Sequence, residues 1–332
     1  VDPTTSIPVC AASLGGILAS PLPGLDDEEG EHVPDDLPPL VDAHVHVFPP
    51  RVFEAIWRWF EQWGWPIRYQ LQAEAVIDFL LARGVEHLVG LHYAHKPGLA
   101  RLMNAFMAEL ARPRPRLTGL ATVLPGEPEA GQILDEALGS LGLAGVKLHC
   151  HVQCFAPDDA ALAEVYDACV RWDKPLVMHA GREPKSPGYR CDPHTLCAAE
   201  RVERVLVDWP RLRLVVPHFG ADEFAGYAAL LERHDNLWLD STMMLADYFP
   251  GEVPRSLLEM RPERVLYGSD FPNLPYAWDR ELRLLRDLRL RPDPASTQVA
   301  ISTEAALHYY EREGRTWERA AMIKALDRKS VV

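Results

Sequence analysis

The chain has 332 residues, 48% of them hydrophobic and 25% charged, with a net charge of −14 at neutral pH. This is the composition of a soluble globular protein. No apolar run approaches the roughly 20 residues of a membrane helix, and the acidic balance argues against a nucleic-acid surface. The length suits one large barrel or two ordinary domains.

Residues 1–36 hold eight acids (Asp2, Asp26, Asp27, Glu28, Glu29, Glu31, Asp35 and Asp36) and no Lys or Arg. With their prolines and glycines they read as a mostly disordered acidic leader, and residues 37–332 read as one domain. Residues 7–19 are mildly apolar, but nothing basic precedes them, so no secretory signal is expected. Six scattered cysteines (Cys10, Cys150, Cys154, Cys169, Cys191 and Cys197) form no CxxC pair. Reduced thiols in a cytoplasmic enzyme are the expectation.

From residue 40 onward, short apolar runs alternate with amphipathic segments. The runs cover 40–47, 86–92, 117–124, 144–149, 175–179, 212–218, 237–241 and 265–270. Helix-like stretches lie between them at 74–82, 99–110, 129–141, 159–171, 198–209 and 223–232, with a last one at 279–288. Asp158 and Asp159 stand where a helix N-cap belongs. Regular alternation implies parallel strands joined by helical crossovers. Eight such units predict an α/β fold of the (β/α)8 barrel type. The rival, an open doubly wound sheet, usually carries a glycine-rich turn after its first strand; here that strand leads into His44-x-His46 and Pro49-Pro50. The Trp-rich stretch 53–69 reads as a helix covering the barrel, or as one wall of a pocket.

The strand ends carry the chemistry. His44 and His46 lie two residues apart, so their side chains share one face of a strand. The second run ends in His92. The fourth carries Lys147 and ends in His149. The fifth ends in His179, the sixth in His218 and the eighth in Asp270. In a barrel these C-terminal ends converge on one rim. A lone histidine there is an ordinary packed residue, but several rims of buried polar groups need partners, and a shared cation provides them.

The motifs His44-x-His46, Val177-Met178-His179-Ala180, Pro217-His218-Phe219-Gly220 and Tyr267-Gly268-Ser269-Asp270-Phe271-Pro272 resemble the amidohydrolase superfamily. More narrowly, they resemble the amidohydrolase-2 branch that contains aminocarboxymuconate-semialdehyde decarboxylase and related metal-dependent hydrolases. The resemblance covers roughly residues 40–290. It implies that His44, His46, His179 and Asp270 bind one divalent metal, with Zn²⁺ the expected ion. It also implies that His218 and Asp270 do the acid/base work. Three histidines and a carboxylate leave an open position for water, whose pKa zinc lowers to about 7.

In some amidohydrolases a strand-four lysine is carbamylated and bridges two metals. For Lys147 a plain ammonium helping to hold an anionic substrate is preferred, with a packed salt bridge close behind. His149 and His151 read as residues of the pocket or just behind it. Arg182 could fork onto a substrate carboxylate or pair with Glu183 or Asp192. Asp222 and Glu223 read as caps of the next helix. Relatives often finish with an Asn-Ala pair where this chain has Ser302-Thr303-Glu304-Ala305-Ala306. The expected activity is hydrolysis of a small, carboxylate-bearing substrate, with non-oxidative decarboxylation of an aromatic or muconate-like acid as the alternative. A catalytically inactive binding barrel stands third, because all five positions are filled. The implied partners are an anionic small molecule and a second copy in a homodimer, with no nucleic acid and no membrane.

Overall fold

All eight expected runs contain a strand in the computed structural model, which describes residues 24–183, 185–246, 248 and 253–289. The strands are β1 (Leu40–His46), β2 (Val85–Leu91), β3 (Leu117–Gly119), β4 (Val146–His149), β5 (Leu176–His179), β6 (Leu214–Val216), β7 (Leu237–Asp240) and β8 (Val265–Leu266). Helices α1 (Pro50–Trp63) and α2 (Ala73–Ala82) follow β1, and α3 (Ala100–Ala111) follows β2. After β3 comes α4 (Ala130–Asp135), and after β4 come α5 (Cys150–Gln153) and α6 (Ala163–Arg171). Helices α7 (Pro193–Leu196) and α8 (Ala199–Asp208) follow β5. The last three strands are followed in turn by α9 (Phe224–Arg233), α10 (Arg255–Glu259) and α11 (Arg280–Arg289).

Pairing is parallel throughout, β1-β2-β3 in one set and β4-β5-β6-β7-β8 in the other. Backbone hydrogen bonds close both seams. Ala121 N–H donates to Gly145 O and Lys147 N–H to Ala121 O, both at 2.7 Å. On the other side Ala43 N–H donates to Tyr267 O (2.9 Å) and His46 N–H to Phe271 O (2.8 Å). The result is a (β/α)8 barrel. β8 keeps only two ladder residues, and beyond its end Asp270 lies in the left-handed region at φ 67°.

A small inner core of Val41, Ala43, Val89, Leu91, Leu120, Ala144, Val177, Val215, Trp238 and Leu266 fills the barrel. The larger core lies between strands and helices and includes Val45 and Val47. Thus Val41 and Ala43 face inward while Val45 and Val47 face outward. The register shift between Asp42 and Val45 accounts for the change of parity, and it brings His44 and His46 to the inner rim. A Cβ on Gly268 would lie 2.6 Å from the Cβ of His44, so only glycine lets β8 pass this close.

Residues 24–36 differ from the expected disordered leader: they run against the barrel. Glu29 accepts from Arg68 (3.2 Å), Tyr69 (2.5 Å) and Arg83 (3.4 Å). Gly30 N–H donates to Asp279, and Asp27 and Asp36 pair with Arg280 and Arg286. Three of the acids, Asp27, Glu29 and Asp36, are paired with basic residues remote in sequence. The rest of the leader, with Cys10, and the region 302–306 lie outside the described residues. Asp159 caps the segment before α6 as expected, accepting from Ala161 N–H (3.0 Å). The expected helix 129–141 splits into α4 and a π-helical segment, Glu136–Ser140. There Gly139 makes room for the Trp172 ring, which a Cβ would meet at 2.6 Å.

Asp42 ties β1 to the β8 segment. Its Oδ1 accepts from His44 N–H (3.1 Å) and Ser269 N–H (3.0 Å), and its Oδ2 from the Ser269 hydroxyl (2.5 Å). Asp42→Ala leaves three buried donors without an acceptor and should cost about 3 kcal/mol, at about 1–3 kcal/mol per unsatisfied group. Asp42→Asn, which keeps one accepting oxygen, should cost less. Urea midpoints at constant slope measure both; an Ala variant as stable as the parent would contradict this tie.

Candidate metal centre

His44 is fully buried, and its Nδ1 donates to Asp240 Oδ2 at 2.9 Å. The other oxygen of Asp240 accepts the His218 backbone N–H, also at 2.9 Å. With its proton held on Nδ1, His44 presents the lone pair of Nε2 to the rim. That atom makes no hydrogen bond, yet it lies 3.2 Å from Asp270 Oδ1. Burial, then the charge of Lys147, holds His44 well below the ordinary imidazole range, so the ring is neutral. A lone pair facing a carboxylate oxygen is repulsive on its own. A cation shared between the two atoms makes the contact favourable.

His46 Nε2 lies 3.0 Å from the same Asp270 oxygen. The donor atoms of His44, His46 and Asp270 all fall within 4.8 Å of one another. Burial pushes the Asp270 carboxyl up, but the hydrogen bond and charge of His46 and the charges of His44 and His218 outweigh it. The net result holds Asp270 well below the usual carboxylate range. Two imidazole nitrogens and a carboxylate suit Zn²⁺, Mn²⁺ or another first-row divalent ion.

His218 stands beside this trio, its ring 5.5 Å from that of His44 and 4.5 Å from that of His179. Its Nδ1 donates to Thr242 O (2.9 Å), a carbonyl that can only accept, so Nε2 is the atom left for chemistry. His218, Phe219 and Ala221 all have positive φ (58°, 49° and 57°). A run of left-handed non-glycine residues is costly and is typical of functional turns.

His179 falls into a second group with His149 and His151. Here Glu183 is the hub. Its carboxylate meets His179 Nε2 at 3.2 Å, contacts His151 Nε2 and accepts from the Tyr189 hydroxyl at 2.8 Å. Glu183 therefore takes the Nε2 side of His179 and leaves Nδ1 as its donor atom. The His149 and His179 rings stack at 4.0 Å, 14° from parallel, so their in-plane lone pairs do not converge. The second trio is thus a poorer cradle for one ion than the first. Burial pulls His151 down, but the Glu183 charge and the Cys197 and Glu183 hydrogen bonds raise it to about 9. Burial and the His218 charge hold His179 near 3.

Three of the four expected ligands therefore meet at one point, while His179, on β5 and three strands round the rim from β8, falls in the other group. Lys147 is sealed inside the barrel at 0% exposure rather than presented to solvent. Burial lowers its ammonium to about 8, against the pull of Asp240 and Asp270. His149 is buried and neutral, held well down by burial and by the charges of His179 and His151. Arg182 turns to Glu223 (Nε to Oε1 3.6 Å) and pairs with neither Glu183 nor Asp192, which holds Lys185. Glu223 caps the start of α8, accepting from Ala199 N–H (3.2 Å), and makes no cap on its own helix α9. His92 is packed in the barrel, with burial holding it near 3. The Trp-rich helix α1 covers the rim: Trp59 stacks on Tyr189 (5.2 Å) and donates to Gly188 O. The sequence reading missed Asp240, although strand seven presents it at the same rim, and it missed Glu183 as the partner of His179 four residues earlier.

The site and barrel define an amidohydrolase. The amidohydrolase family model matches residues 41–307, and the chain belongs to that family, in its amidohydrolase-2 branch. It is an enzyme of the hydrolase-or-lyase kind. Three solved structures share the fold. The 5-carboxyvanillate decarboxylase of Novosphingobium aromaticivorans, complexed with manganese and 4-hydroxy-3-methoxy-5-nitrobenzoic acid, superposes with a TM-score of 0.56 at 15% identity, over 86% of this chain and 100% of that one. The 2,6-dihydroxybenzoate decarboxylase of Rhizobium gives 0.59 at 15% identity, over 83% and 100%. The 4-oxalomesaconate hydratase of Rhodopseudomonas palustris gives 0.53 at 16% identity, over 88% and 99%. A separate local match of 39 residues is 97% identical to the bifunctional glutamine synthetase adenylyltransferase/adenylyl-removing enzyme of a Bradyrhizobium strain. It covers 12% of this chain and spans 4% of that enzyme's length, and it carries no functional argument.

The His151–Glu183 pair has a pH signature. His151 sits above its ordinary 6.5, so its stabilising contribution is full below about 6.5 and is lost as the pH rises through about 9. A ring titration by NMR on metal-free protein should show a midpoint near 9. In Glu183→Gln burial loses its main opponent, and the midpoint should drop below 6.5. An unchanged midpoint in the variant would remove Glu183 as the cause.

Proposed function

We propose that the protein is a metal-dependent lyase that removes CO₂, without redox chemistry, from a small aromatic or muconate-like acid. The observation that carries the metal is the unprotonated, unbonded Nε2 of His44 facing Asp270 Oδ1 at 3.2 Å. His44, His46 and Asp270 would hold one divalent ion, with His179 as a further donor through Nδ1. Zn²⁺ is the ion first expected, and the manganese bound to the 5-carboxyvanillate decarboxylase makes Mn²⁺ an equal candidate. A bound ion supplies a Lewis acid for an anionic oxygen of the substrate.

The chain's own groups divide the remaining work. Asp270 stays ionised, one oxygen 3.0 Å from His46 Nε2. His218, oriented by Thr242 O, holds at Nε2 the proton that goes to the carbon losing CO₂. Phe48 and Tyr93 flank His46 at ring distances of 5.6 and 5.9 Å, a wall that suits a planar, unsaturated acid. Two of the structural relatives decarboxylate aromatic acids, which supports the lyase reading. Hydrolysis, the activity first expected from sequence, is the second reading. It is favoured by Asp270, which as a held carboxylate can take a proton from water. A homodimer in the cytoplasm belongs to the same proposal. Among the described residues no helix is long and apolar enough to cross a membrane.

Incubation with hydroxybenzoates and muconate-like acids, loaded with Zn²⁺ or Mn²⁺, should release CO₂ with no ¹⁸O from labelled water in the product. Label incorporation without CO₂ would select hydrolysis instead. His218→Asn should keep the metal and lower turnover by about 10² or more. His179→Ala should lose activity and most of the metal, because losing one of few donors weakens binding strongly, by about 10-fold or more. Full turnover in the His218 variant would remove its acid/base role.

A further inference from the structure

Four of the five described cysteines gather around His151. Cys154 Sγ donates to the His151 carbonyl oxygen at 3.7 Å, and Cys191 Sγ donates to the same oxygen at 3.1 Å. The two thiols thus meet at one carbonyl oxygen. Both are partly exposed, whereas Cys150 and Cys197 are buried. The Arg190 guanidinium donates to Cys154 Sγ at 3.8 Å. Burial holds the Cys191 thiol up to about 12. The thiol beside the guanidinium, Cys154, is placed to attack first, and Cys191 to resolve.

We propose that Cys154 and Cys191 form a dithiol modification site that closes to a disulfide on reaction with a small-molecule disulfide. In the first step the Cys154 thiolate attacks one sulfur of the oxidant, a mixed disulfide forms and one small thiolate leaves. In the second step Cys191 gives its proton to solvent and attacks the Cys154 sulfur, and the second small thiolate leaves. Two protein thiols are oxidised and one external disulfide is reduced. Cys154 closes α5, directly after His149 and His151, and Cys191 lies in the loop that carries Glu183 and Tyr189. The new bond would join covalently two segments that Glu183, Arg190 and Cys191 already hold together by polar contacts at the rim. This chemistry needs no metal and stands whether or not the lyase reading does.

The test uses the full chain, first reduced and then exposed to oxidised glutathione, followed by alkylation and non-reducing peptide mass mapping. A Cys154–Cys191 linked peptide is expected in the parent, and none in Cys154→Ser or Cys191→Ser. Trypsin should also cut after Lys185 and Arg190 several-fold more slowly in the oxidised parent than in the reduced parent. Both thiols recovered fully alkylated, held only as glutathione adducts, or linked instead to Cys150 or Cys197 would overturn the site. A linked protein cut at the reduced rate would overturn the joining of the two segments. Both readouts come from the parent protein, so a variant that fails to fold does not protect the proposal.

Discussion

Asp240 is the residue on which the rim depends. It sits buried at the end of β7, with one oxygen on the His44 ring and the other on the His218 backbone. A single carboxylate thereby sets the tautomer of a candidate ligand from β1 and anchors the turn that carries the acid/base candidate from β6. Burying such a group is unfavourable unless every lone pair is used. Here both oxygens are used, and the cost is turned into geometry: a lone pair on His44 Nε2 that points at another carboxylate.

The same logic repeats round the barrel. Glu183 fixes His179 as Asp240 fixes His44, and Thr242 O fixes His218. Each ring has one nitrogen assigned by a buried acceptor and the other left free. Partners of this kind orient the groups that do chemistry and limit how far they can stray. The close approaches that make this possible are backbone features. Gly268 lets β8 lie against His44, and Gly181, at φ 100°, lets the β5 loop run against Gly220, whose carbonyl a Cβ would meet at 2.4 Å.

The barrel was legible because alternation of apolar runs and helices is a local pattern, and all eight runs contain a strand. The candidate ligands His44, His46 and Asp270 were legible because they end apolar strands and match a family's motifs in order. Asp240 was not, because run seven reads equally well as ending on Ser241 and a lone Asp at a strand end resembles a turn residue. Glu183 was hidden by its loop: only the folded path brings it back under His179 and next to His151. Residues 24–36 misled for an electrostatic reason. Their acids look self-repelling in sequence, but Arg68, Arg83, Arg280 and Arg286 come from elements folded against them. The fit of Lys147 was also out of reach of the sequence, since its place on β4 says nothing about how deeply the barrel closes over it.

Anomalous diffraction from crystals grown with Mn²⁺ or Zn²⁺ tests the central claim most directly. The account predicts one strong peak within bonding distance, about 2.0–2.2 Å, of His44 Nε2, His46 Nε2 and an Asp270 oxygen. A peak held only by residues 149, 151 and 179, or no peak at millimolar metal, would contradict it.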